Sequence, residues 1–497
     1  MYISTRGGTS PVSASAAIYK GIAADGGLFV PEEIQPFPEE LWDALPEMSY
    51  RTLAKTIFSL YLDDFSEEEI DRVVGGAYGG QFDDEEIAPI HTLSGNRHIL
   101  ELWHGPTAAF KDMALQALPY LLTISMEKQA GAKEVVILVA TSGDTGKAAL
   151  EGFADVPKTK IIVFYPNGGV SAIQRLQMAT QTGDNTFVVA LNGNFDDCQR
   201  GVKEIFADAA FNAALDERGY RLSSANSINW GRLLPQIVYY FKAYAALRRD
   251  GTVAAGETID VVVPTGNFGN ILAACYAREM GLPIRALLCA SNKNKVLTDV
   301  LNDGRYDKRR EFFRTSSPSM DILVSSNFER FVFEVCGHDA ETVKRLFAAL
   351  DSEGHYQLPE AALARIKTFM AGEYASEEET LAAIGETERS DGYILDPHTA
   401  VAVKALAKYD AAHDRGGKAA VIDATANPFK FNKAVYEGIF GEGSAEGMDE
   451  FTVSKELSAK TGMAIHRGLV DLDKKPVLHT KVAEKDEMKA VVAEILK

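Results

Sequence analysis

The feature that most constrains the fold is an alternation of apolar, β-branched runs with helical segments, which begins at Lys133. The run "EVVILVAT" leads into the turn "SGDTG" and the helical "KAALEGFAD", and the runs "TKIIVFYP" and "NTFVVAL" follow. Strands that are apolar on both faces and alternate with helices are typical of buried parallel sheets. A second group contains "IDVVVPTGNFGN" and "IRALLCAS" in the same order. The two groups, at residues 133–200 and 259–291, predict two α/β domains with a cleft between them.

Capping residues, prolines and glycines indicate where several other elements begin and end. Ser66 begins a predicted helix with acidic residues in its first turn and glycines after its end. Ser171 is a candidate cap for the helix "AIQRLQMAT". Pro235 either bends the long helix "NWGRLLPQIVYYFKAYAALRR" or lies in its first turn. The glycine-rich stretch at 438–451 predicts a loop before the C-terminal tail.

Charge and composition exclude several classes of protein. The formal net charge of −19 over 497 residues argues against a nucleic-acid partner, which would need a basic surface. A local field inside a pocket can still attract a small anion. The four cysteines contain no C-x-x-C pair, and so few in a long chain do not form a disulfide framework. The nine histidines lack zinc-motif spacing, so we expect no metal site.

The N-terminal sequence bears on where the protein works. The start "MYISTRGGTSPVSAS" has no apolar core of the kind found in signal peptides. No apolar run approaches the ~18 residues that a membrane-spanning helix requires. We therefore expect a cytoplasmic enzyme that does not contact membranes and that exists as a monomer or homodimer.

Two loops, "TSGDTG" at 141–146 and "TGNFGN" at 265–270, share one design, in which a strand leads through a glycine-containing turn into a helix. Unpaired N–H groups and the positive dipole end at a helix start can hold a phosphate or carboxylate, and glycine allows close approach. A plain tight turn between a strand and a helix is the alternative reading of either loop.

Nucleotide-binding motifs do not match these loops. In "TSGDTGKA", Thr141 stands where a P-loop has its first glycine, and Ala148 replaces the hydroxyl residue that holds magnesium. "GNFGN" is not the G-x-G-x-x-G of a dinucleotide site. We therefore do not expect ATP or NAD as the ligand, and an NTPase of the P-loop type is disfavoured.

Lys111, in "HGPTAAFKDMALQ", is a candidate for covalent chemistry. A Schiff-base lysine must lose its proton, and both a helix N-terminus and burial disfavour the charged form. The following "DMALQALPYLLTISM" is apolar around most of its circumference, which predicts a buried helix with a kink at Pro119. A surface lysine at a helix start is the alternative. A buried lysine with two anion-binding loops suits pyridoxal phosphate.

Six motifs in order carry a resemblance to a known family. "HGPTAAFKDMALQ", "TSGDTG", "GNFDDCQ", "SANSINWGR", "VPTGNFGN" and "SPSMDILVSSNFERF" together closely resemble the longer type of threonine synthase, which has an N-terminal extension. "YISTRGG" and "DGGLFVPE" are similar to that extension, and the resemblance covers about residues 1–435. It implies the fold type II of pyridoxal-phosphate enzymes, shared with tryptophan synthase β, in which two parallel-sheet α/β domains surround a cofactor cleft.

The resemblance also implies a division of the chain, with an N-terminal domain of the threonine-synthase type and a mixed α/β fold at 1–95. A large pyridoxal-phosphate-binding domain would combine 96–132 with 259–450. The smaller α/β domain, which would carry the substrate loop, is expected at 133–258. An α/β tail would occupy 451–497.

Carried over position by position, the resemblance makes Lys111 the Schiff-base residue and proton shuttle, next to Phe110 at the cofactor. The loop for the cofactor phosphate would consist of Gly266, Asn267, Phe268, Gly269 and Asn270. Thr425 matches the hydroxyl residue at the pyridine nitrogen, although the family more often has histidine where this chain has Asn427. Asp144 would lie close to the cofactor's 3-hydroxyl group. The residues implied around the substrate are Ser142, Asp144, Thr145, Asn226, Ser227 and Arg232.

The implied activity is that of a carbon–oxygen lyase acting on phosphates. It converts O-phospho-L-homoserine and water to L-threonine and inorganic phosphate, the last step of threonine biosynthesis. Phosphate leaves the γ-carbon by elimination and water adds at the β-carbon, with Lys111 moving the α-proton. Arg232 suits the substrate phosphate because its planar guanidinium donates two parallel hydrogen bonds. The alternative for Arg232 is an ordinary ion pair on a helix surface.

Two other functions remain as alternatives. A serine or threonine dehydratase of the same fold needs no second phosphate site, so "SANSINWGR" and the N-terminal region argue against it. A catalytically inactive homologue that binds phosphorylated amino acids as a sensor or carrier could lose its lysine without penalty. This chain keeps Lys111.

Overall fold

The computed structural model describes residues 1–141 and 143–497. The strands are β1 (Tyr2–Ser4), β2 (Phe29–Pro31), β3 (Ile90–Leu93), β4 (Arg97–Glu101), β5 (Glu134–Ala140), β6 (Thr159–Pro166), β7 (Thr186–Leu191), β8 (Tyr220–Ser223), β9 (Ile259–Pro264), β10 (Ile284–Ser291), β11 (Arg305–Asp307), β12 (His355–Gln357), β13 (Met370–Tyr374), β14 (Ala420–Ala424) and β15 (Lys481–Ala483).

The α-helices alternate with these strands through most of the chain. They are α1 (Ala14–Lys20), α2 (Tyr50–Tyr61), α3 (Glu67–Ala77), α4 (Asp112–Leu115), α5 (Leu118–Lys128), α6 (Asp144–Phe153), α7 (Ala172–Ala179), α8 (Phe195–Ala207), α9 (Ala209–Glu217), α10 (Trp230–Arg249), α11 (Gly269–Glu279), α12 (Val296–Asp303), α13 (Phe328–Val335), α14 (Ala340–Ser352), α15 (Glu360–Lys367), α16 (Glu377–Asp391), α17 (Pro397–Ala412), α18 (Asn432–Phe440), α19 (Glu450–Thr461) and α20 (Met488–Ile495). Short 3-10 helices span Glu39–Leu41, Leu45–Glu47, Pro318–Met320, Pro428–Phe431, Leu472–Lys474 and Lys485–Glu487.

Two main sheets organise the chain. One has six strands in the order β13-β10-β9-β14-β4-β3, and the other has five in the order β15-β7-β6-β5-β8. Every pairing in them is parallel except β3 with β4. The strands predicted from the apolar runs are therefore confirmed, and so is an α/β fold with two parallel sheets. Each of the remaining two sheets is a pair of short strands, β1 with β2 and β11 with β12.

The N-terminal region packs on the long helix α10, which is buried from Trp230 to Leu247. Aromatic rings form much of this contact: the centroid of Tyr2 lies 5.4 Å and that of Tyr61 5.8 Å from the centroid of Trp230. Large aromatic side chains bury extensive apolar area, so this contact ties the N-terminal region to the core that holds α10 and α11.

The predicted caps at Ser66 and Ser171 are both confirmed as capping boxes. The predicted glycines after the helix are Gly79 and Gly80, whereas Gly75 and Gly76 lie inside the last turn of α3. The packing explains Gly76, where a Cβ atom would come within 2.3 Å of the Tyr120 ring.

Two further expectations need correction, and the alternative left open for Pro235 is decided. The apolar segment after Lys111 is not one helix kinked at Pro119, because α4 ends at Leu115 and Pro119 lies in the first turn of α5, where no N–H is needed. Pro235 lies inside α10, beyond its first turn. The stretch 438–451 is not entirely a loop, because α18 extends to Phe440 and α19 starts at Glu450.

In the part of the chain that the structure describes, no helix combines the length and apolarity needed to cross a membrane.

Candidate active site

Neighbouring strands bring the candidate residues together. Lys111 follows β4, Thr425 follows β14 and the 266–270 loop follows β9, and these three parallel strands are adjacent in the six-stranded sheet. Loops after the carboxyl ends of adjacent parallel strands meet at one edge of a sheet, where open α/β sheets bind ligands. The backbone N–H of Phe110 donates to the Thr425 carbonyl at 2.9 Å, which joins two of these loops directly.

Lys111 is a buried lysine with a side chain 12 % exposed. Burial lowers the pKa of its amine to about 8. The carboxylate of Asp144, 4.0 Å away, acts in the opposite direction, and the positive charges of Lys430 and Arg232 lower the pKa further. The helix that begins here, α4, has only four residues, so the expected contribution of a long helix dipole does not apply. Desolvation is what favours the neutral amine.

Asp144 stands between two lysines at the start of α6. Its Oδ1 lies 2.9 Å from Nζ of Lys430, its Oδ2 lies 4.0 Å from Nζ of Lys111, and Gln174 donates to it at 3.1 Å. Burial opposes ionisation of this carboxyl, but Lys430 and Lys111 hold its pKa well below its usual range. Asp144 is therefore a fixed negative charge beside the Lys111 amine.

Lys430 is a second buried lysine, and sequence reasoning missed it. Its side chain is 0 % exposed, and its Nζ also donates to the Thr107 carbonyl at 2.9 Å. The residue was visible in "DATANPFKF", but an apolar turn gives no sign that its lysine reaches back to α6. The Pro428–Phe431 turn presents it, and Asn427 caps this turn by accepting from Phe429 N at 3.0 Å. At the position where the family more often has histidine, Asn427 thus acts as a turn cap.

The 266–270 loop approaches other backbone closely. A Cβ atom on Gly266 would lie 2.4 Å from the Ser319 carbonyl oxygen, so only glycine fits there. Phe268 adopts a left-handed conformation, with φ of 66°, as the residue before α11. Its ring packs against Phe328 and Phe331 with centroids 5.0 Å apart, which supports this strained backbone. Asn270 is buried and donates to the Pro264 carbonyl at 3.0 Å, whereas Asn267 is exposed.

Arg232 is buried inside α10, with 4 % of its surface exposed, so the alternative of a surface ion pair does not hold. Nη1 donates to the Ala225 carbonyl at 2.6 Å. Among the described residues, Nε has no hydrogen-bond partner and no carboxylate lies within ion-pair distance of the guanidinium. Burial lowers the pKa of Arg232 to about 10. A buried cation with an unused donor is costly unless an anion joins it.

The other residues predicted to surround the substrate differ in their contacts and burial. Ser227 accepts from Asn327 Nδ2 at 3.0 Å and lies beside Gly269, where a Cβ atom would be 3.6 Å from that of Ser227. Asn226 is exposed and Thr145 is half-buried at the start of α6. Ser142 lies outside the described residues.

The 3-10 helix Pro318–Met320 supplies another residue that sequence reasoning left without a role. Nζ of Lys111 donates to Ser319 Oγ at 3.4 Å, and Ser319 Oγ donates to Asp144 Oδ2 at 3.5 Å. "SPSMD" was noticed only as a motif, because its distance of some two hundred residues from Lys111 hides the contact.

Comparison with known proteins now identifies the family. Residues 1–78 match the family model "Threonine synthase N terminus", and residues 91–423 match "Pyridoxal-phosphate dependent enzyme". A threonine synthase of Pseudomonas aeruginosa is 40% identical over 450 residues, which is 89% of this chain and 91% of that protein. The chain belongs to the threonine synthase family.

Solved structures of the threonine synthase family agree with this assignment. The pyridoxal-phosphate-bound threonine synthase from Brucella melitensis superposes with a TM-score of 0.88 at 36% identity, covering 100% of this chain and 98% of that one. The threonine synthase from yeast has a TM-score of 0.88 at 32% identity, with the same coverage. The resemblance read from the sequence and the expected fold are confirmed.

The chain is also similar to relatives that are longer than it is. "Threonine synthase-like 1" of Homo sapiens is 42% identical over 435 residues, which is 86% of this chain and 58% of that protein. The chain therefore spans 58% of the length of that relative.

Proposed function

We propose that this chain is a threonine synthase, which converts O-phospho-L-homoserine and water to L-threonine and inorganic phosphate. The observation that carries the proposal is Arg232, a buried guanidinium with an unused donor in the same site as Lys111. A dehydratase acting on serine or threonine would leave this charge without a partner, whereas the phosphate of the proposed substrate supplies one. Family membership and the 40% identity to a threonine synthase support the same reaction.

The residues present fit pyridoxal phosphate, the cofactor of this enzyme family. Lys111 is buried and biased toward the neutral amine, which is the form that reacts with an aldehyde. The 266–270 loop leads into the start of α11, where unpaired backbone N–H groups can hold a phosphate, and Gly266 and Gly269 present no side chain there. We assign that loop to the cofactor phosphate, Thr425 to the pyridine nitrogen, and Phe110 and Asp144 to the surroundings of the cofactor.

When bound, pyridoxal phosphate acts as an electron sink that acidifies carbon–hydrogen bonds of an amino-acid substrate. The chain's own residues supply proton transfer and charge. Lys111, neutral at Nζ, takes the proton from the α-carbon and returns it at the end. Asp144 stays ionised and holds the protonated amine nearby. Arg232 holds the substrate phosphate and stabilises the leaving dianion.

This proposal also includes the remaining substrate contacts, the division into domains, and the location and oligomeric state of the enzyme. Ser142, Thr145, Asn226 and Ser227 would surround the substrate, and the position of Ser227 next to Gly269 supports this for that residue. The proposed division into domains at 1–95, 96–132 with 259–450, 133–258 and 451–497 is supported for its two central parts by the two main sheets. At the proposed ends, β3 joins the six-stranded sheet and β15 joins the five-stranded sheet. A cytoplasmic monomer or homodimer completes the proposal.

Phosphorus and proton NMR on one sample tests the reaction. The sample contains the full chain, pyridoxal phosphate and O-phosphohomoserine. We expect inorganic phosphate and threonine to grow at equal rates. Phosphate accompanied by a keto acid would instead establish elimination without addition of water. No change in either spectrum would contradict the proposal and favour a binding protein without activity.

A further inference from the structure

Ser319 connects three parts of the site. Its hydroxyl accepts from Lys111 Nζ at 3.4 Å and donates to Asp144 Oδ2 at 3.5 Å, so it bridges the amine and the carboxylate. Its carbonyl lies against Gly266 in the loop assigned to the cofactor phosphate. The orientation of the Lys111 amine therefore depends on where the Pro318–Met320 turn places this hydroxyl.

The turn is held from the opposite side by His398, which is 1 % exposed. The backbone N–H of Ser319 donates to His398 Nε2 at 3.2 Å. Because a backbone N–H can only donate, Nε2 must be the unprotonated nitrogen of the ring. The ring hydrogen is then on Nδ1, which lies 2.8 Å from Asp396 Oδ1. The contacts thus define one neutral tautomer of a buried histidine.

The Asp396 carboxylate accepts more hydrogen bonds than capping α17 requires. It accepts from the backbone N–H groups of His398 and Thr399 at the start of α17, and also from the Thr399 hydroxyl. These bonds satisfy the helix end without any contribution from the imidazole. The bond from His398 Nδ1 is an addition, and its geometric consequence is that Nε2 points at Ser319. Phe431 packs on the ring at 4.7 Å and limits its rotation.

We propose that Ser319 orients the Lys111 amine through its hydroxyl, and that His398, held by Asp396, is the positioning residue that keeps Ser319 in place. This inference rests on the proposed function in one respect only, which is that the Lys111 amine takes part in the reaction. It adds a chain of hydrogen bonds from the start of α17 to the reactive nitrogen.

Two substitutions at position 398 separate the two contacts of the imidazole. His398→Asn keeps an amide N–H near Asp396 but is too short to accept from Ser319. His398→Gln is longer and can accept from the Ser319 N–H through Oε1, so it is the matched control. Ser319→Ala removes the hydroxyl and keeps the backbone N–H. None of these variants alters the charged groups around Lys111, which are Asp144, Lys430, Arg232 and Asp112.

The first readout is the reactivity of Lys111 in the cofactor-free full chain. Reductive methylation with formaldehyde is measured over a pH series by mass spectrometry of the Lys111 peptide, with the exposed Lys20 as internal control. The Ser319 hydroxyl accepts from the amine and favours its charged form. Losing one hydrogen bond of ordinary strength should therefore lower the pH midpoint by roughly half a unit.

We expect Ser319→Ala and His398→Asn to lower the midpoint equally, and the double variant to lower it no further than either alone. His398→Gln should keep the wild-type midpoint. A wild-type midpoint in His398→Asn, or a shift in the double variant equal to the sum of both, would overturn the proposal. Should His398→Asn fail to fold, a His398→Gln midpoint equal to that of Ser319→Ala would overturn it as well.

The second readout uses the holoenzyme and separates positioning from binding. In His398→Asn and Ser319→Ala, kcat should fall about fivefold, the scale of one ordinary hydrogen bond, while KM stays within about twofold. A rise in KM with unchanged kcat would contradict a role at Lys111. If the wild-type chain does not convert O-phosphohomoserine at all, the proposed function fails, yet the methylation series still decides the role of His398.

Discussion

Two buried charged clusters lie along the same segment of chain and differ in their balance of charge. The Lys111 cluster contains Lys111, Lys430, Arg232 and Asp144. Seven residues before Lys111 is His104, the centre of a second cluster with Asp83, Glu101 and His466. In the first cluster, burial lowers the pKa of the central Lys111 amine, and the neighbouring cations act in the same direction. In the second, neighbouring carboxylates raise it.

The His104 cluster satisfies its central charge. Nδ1 lies 2.6 Å from Asp83 Oδ1, and Nε2 lies 2.8 Å from Glu101 Oε2, so both ring nitrogens face acceptors and both carry hydrogen. Burial lowers the pKa of the imidazole, but Asp83 and Glu101 outweigh it and raise the pKa to about 9. His466 lies 3.0 Å from the other oxygen of Asp83, so the cluster joins the N-terminal region, β4 and the C-terminal tail.

The Lys111 cluster leaves charge uncompensated. Arg232 has a donor without a partner in the described chain, and the amine of Lys111 is biased toward neutrality. Such an arrangement lowers stability in the free protein and is retained where an anionic ligand completes it. Both clusters are charged and lie largely inside the protein. The uncompensated charge of the Lys111 cluster is typical of a ligand-binding site, whereas the satisfied charge of the His104 cluster is typical of a contact that connects segments of the chain.

The largest expected effect is the loss of activity in Lys111→Ala. Removing the amine removes the proton-transferring group, which by itself contributes about 10²- to 10⁴-fold, so turnover should fall by at least about 10²-fold. The melting temperature should stay the same or rise, since a desolvated amine is lost. Steady-state kinetics and calorimetry on the same preparation measure both. Turnover above a hundredth of the wild-type rate would remove Lys111 from the chemistry.

Arg232→Met tests the uncompensated charge. We expect kcat/KM for the phosphorylated substrate to fall by roughly 2–5 kcal/mol, or about 30- to 4,000-fold, as for truncation of a buried charged pair. In the absence of ligand, unfolding by urea should show unchanged or higher stability, because a buried cation is replaced by an apolar chain of similar length. Lower stability together with normal kinetics would mean that Arg232 has a purely structural role.

His104→Gln should lower stability more than activity, which is the reverse of the result expected for Arg232→Met. Removing the imidazolium leaves the half-buried Glu101 and the more exposed Asp83 without their shared cation, which should cost about 2 kcal/mol of the free energy of unfolding, less than for a fully buried pair. Activity should change less than in either preceding variant. His338→Gln is the comparison variant, because its histidine also pairs with a glutamate but is 43% exposed. The buried partner Glu334 keeps the Tyr276 hydroxyl as a donor, so the change should cost less than ~1 kcal/mol. Equal costs in the two variants would contradict a special role of the buried cluster.

The smallest effect is a pH dependence of stability. The pKa of His104 is raised to about 9 from the usual ~6.5, so its contribution is fully present below about pH 6.5 and is lost as pH rises through 9. Between pH 7 and 9 this amounts to about 2 kcal/mol. Urea unfolding of wild type and His104→Gln at both pH values isolates it, since other groups cancel in the difference. A constant difference between the two proteins would refute the raised pKa.

Much of the fold was predictable from local sequence. The apolar runs of β5, β6, β7, β9 and β10 and the caps at Ser66 and Ser171 are short-range signals, and the structure confirms them. Short strands such as β4, β13 and β14 carried too few residues for a pattern, and pairing with their neighbours is what fixes them. The split between α4 and α5 was missed because a proline permits either a kink or a new first turn.

The sequence by itself determined the two sheets and the family and singled out Lys111 as the candidate reactive lysine, because those depend on periodicity and on motifs a few residues long. Tertiary structure decided the charge state of the site. Lys430, Ser319 and His398 come from segments far from Lys111 in sequence. Lys430 comes close because β14, which precedes it, ends beside β4 at one edge of the sheet, whereas the Pro318–Met320 turn brings Ser319 to Lys111 and His398 contacts that turn. Burial, which lowers the pKa values of Lys111 and Arg232, is a property of the whole fold that no short stretch of sequence contains.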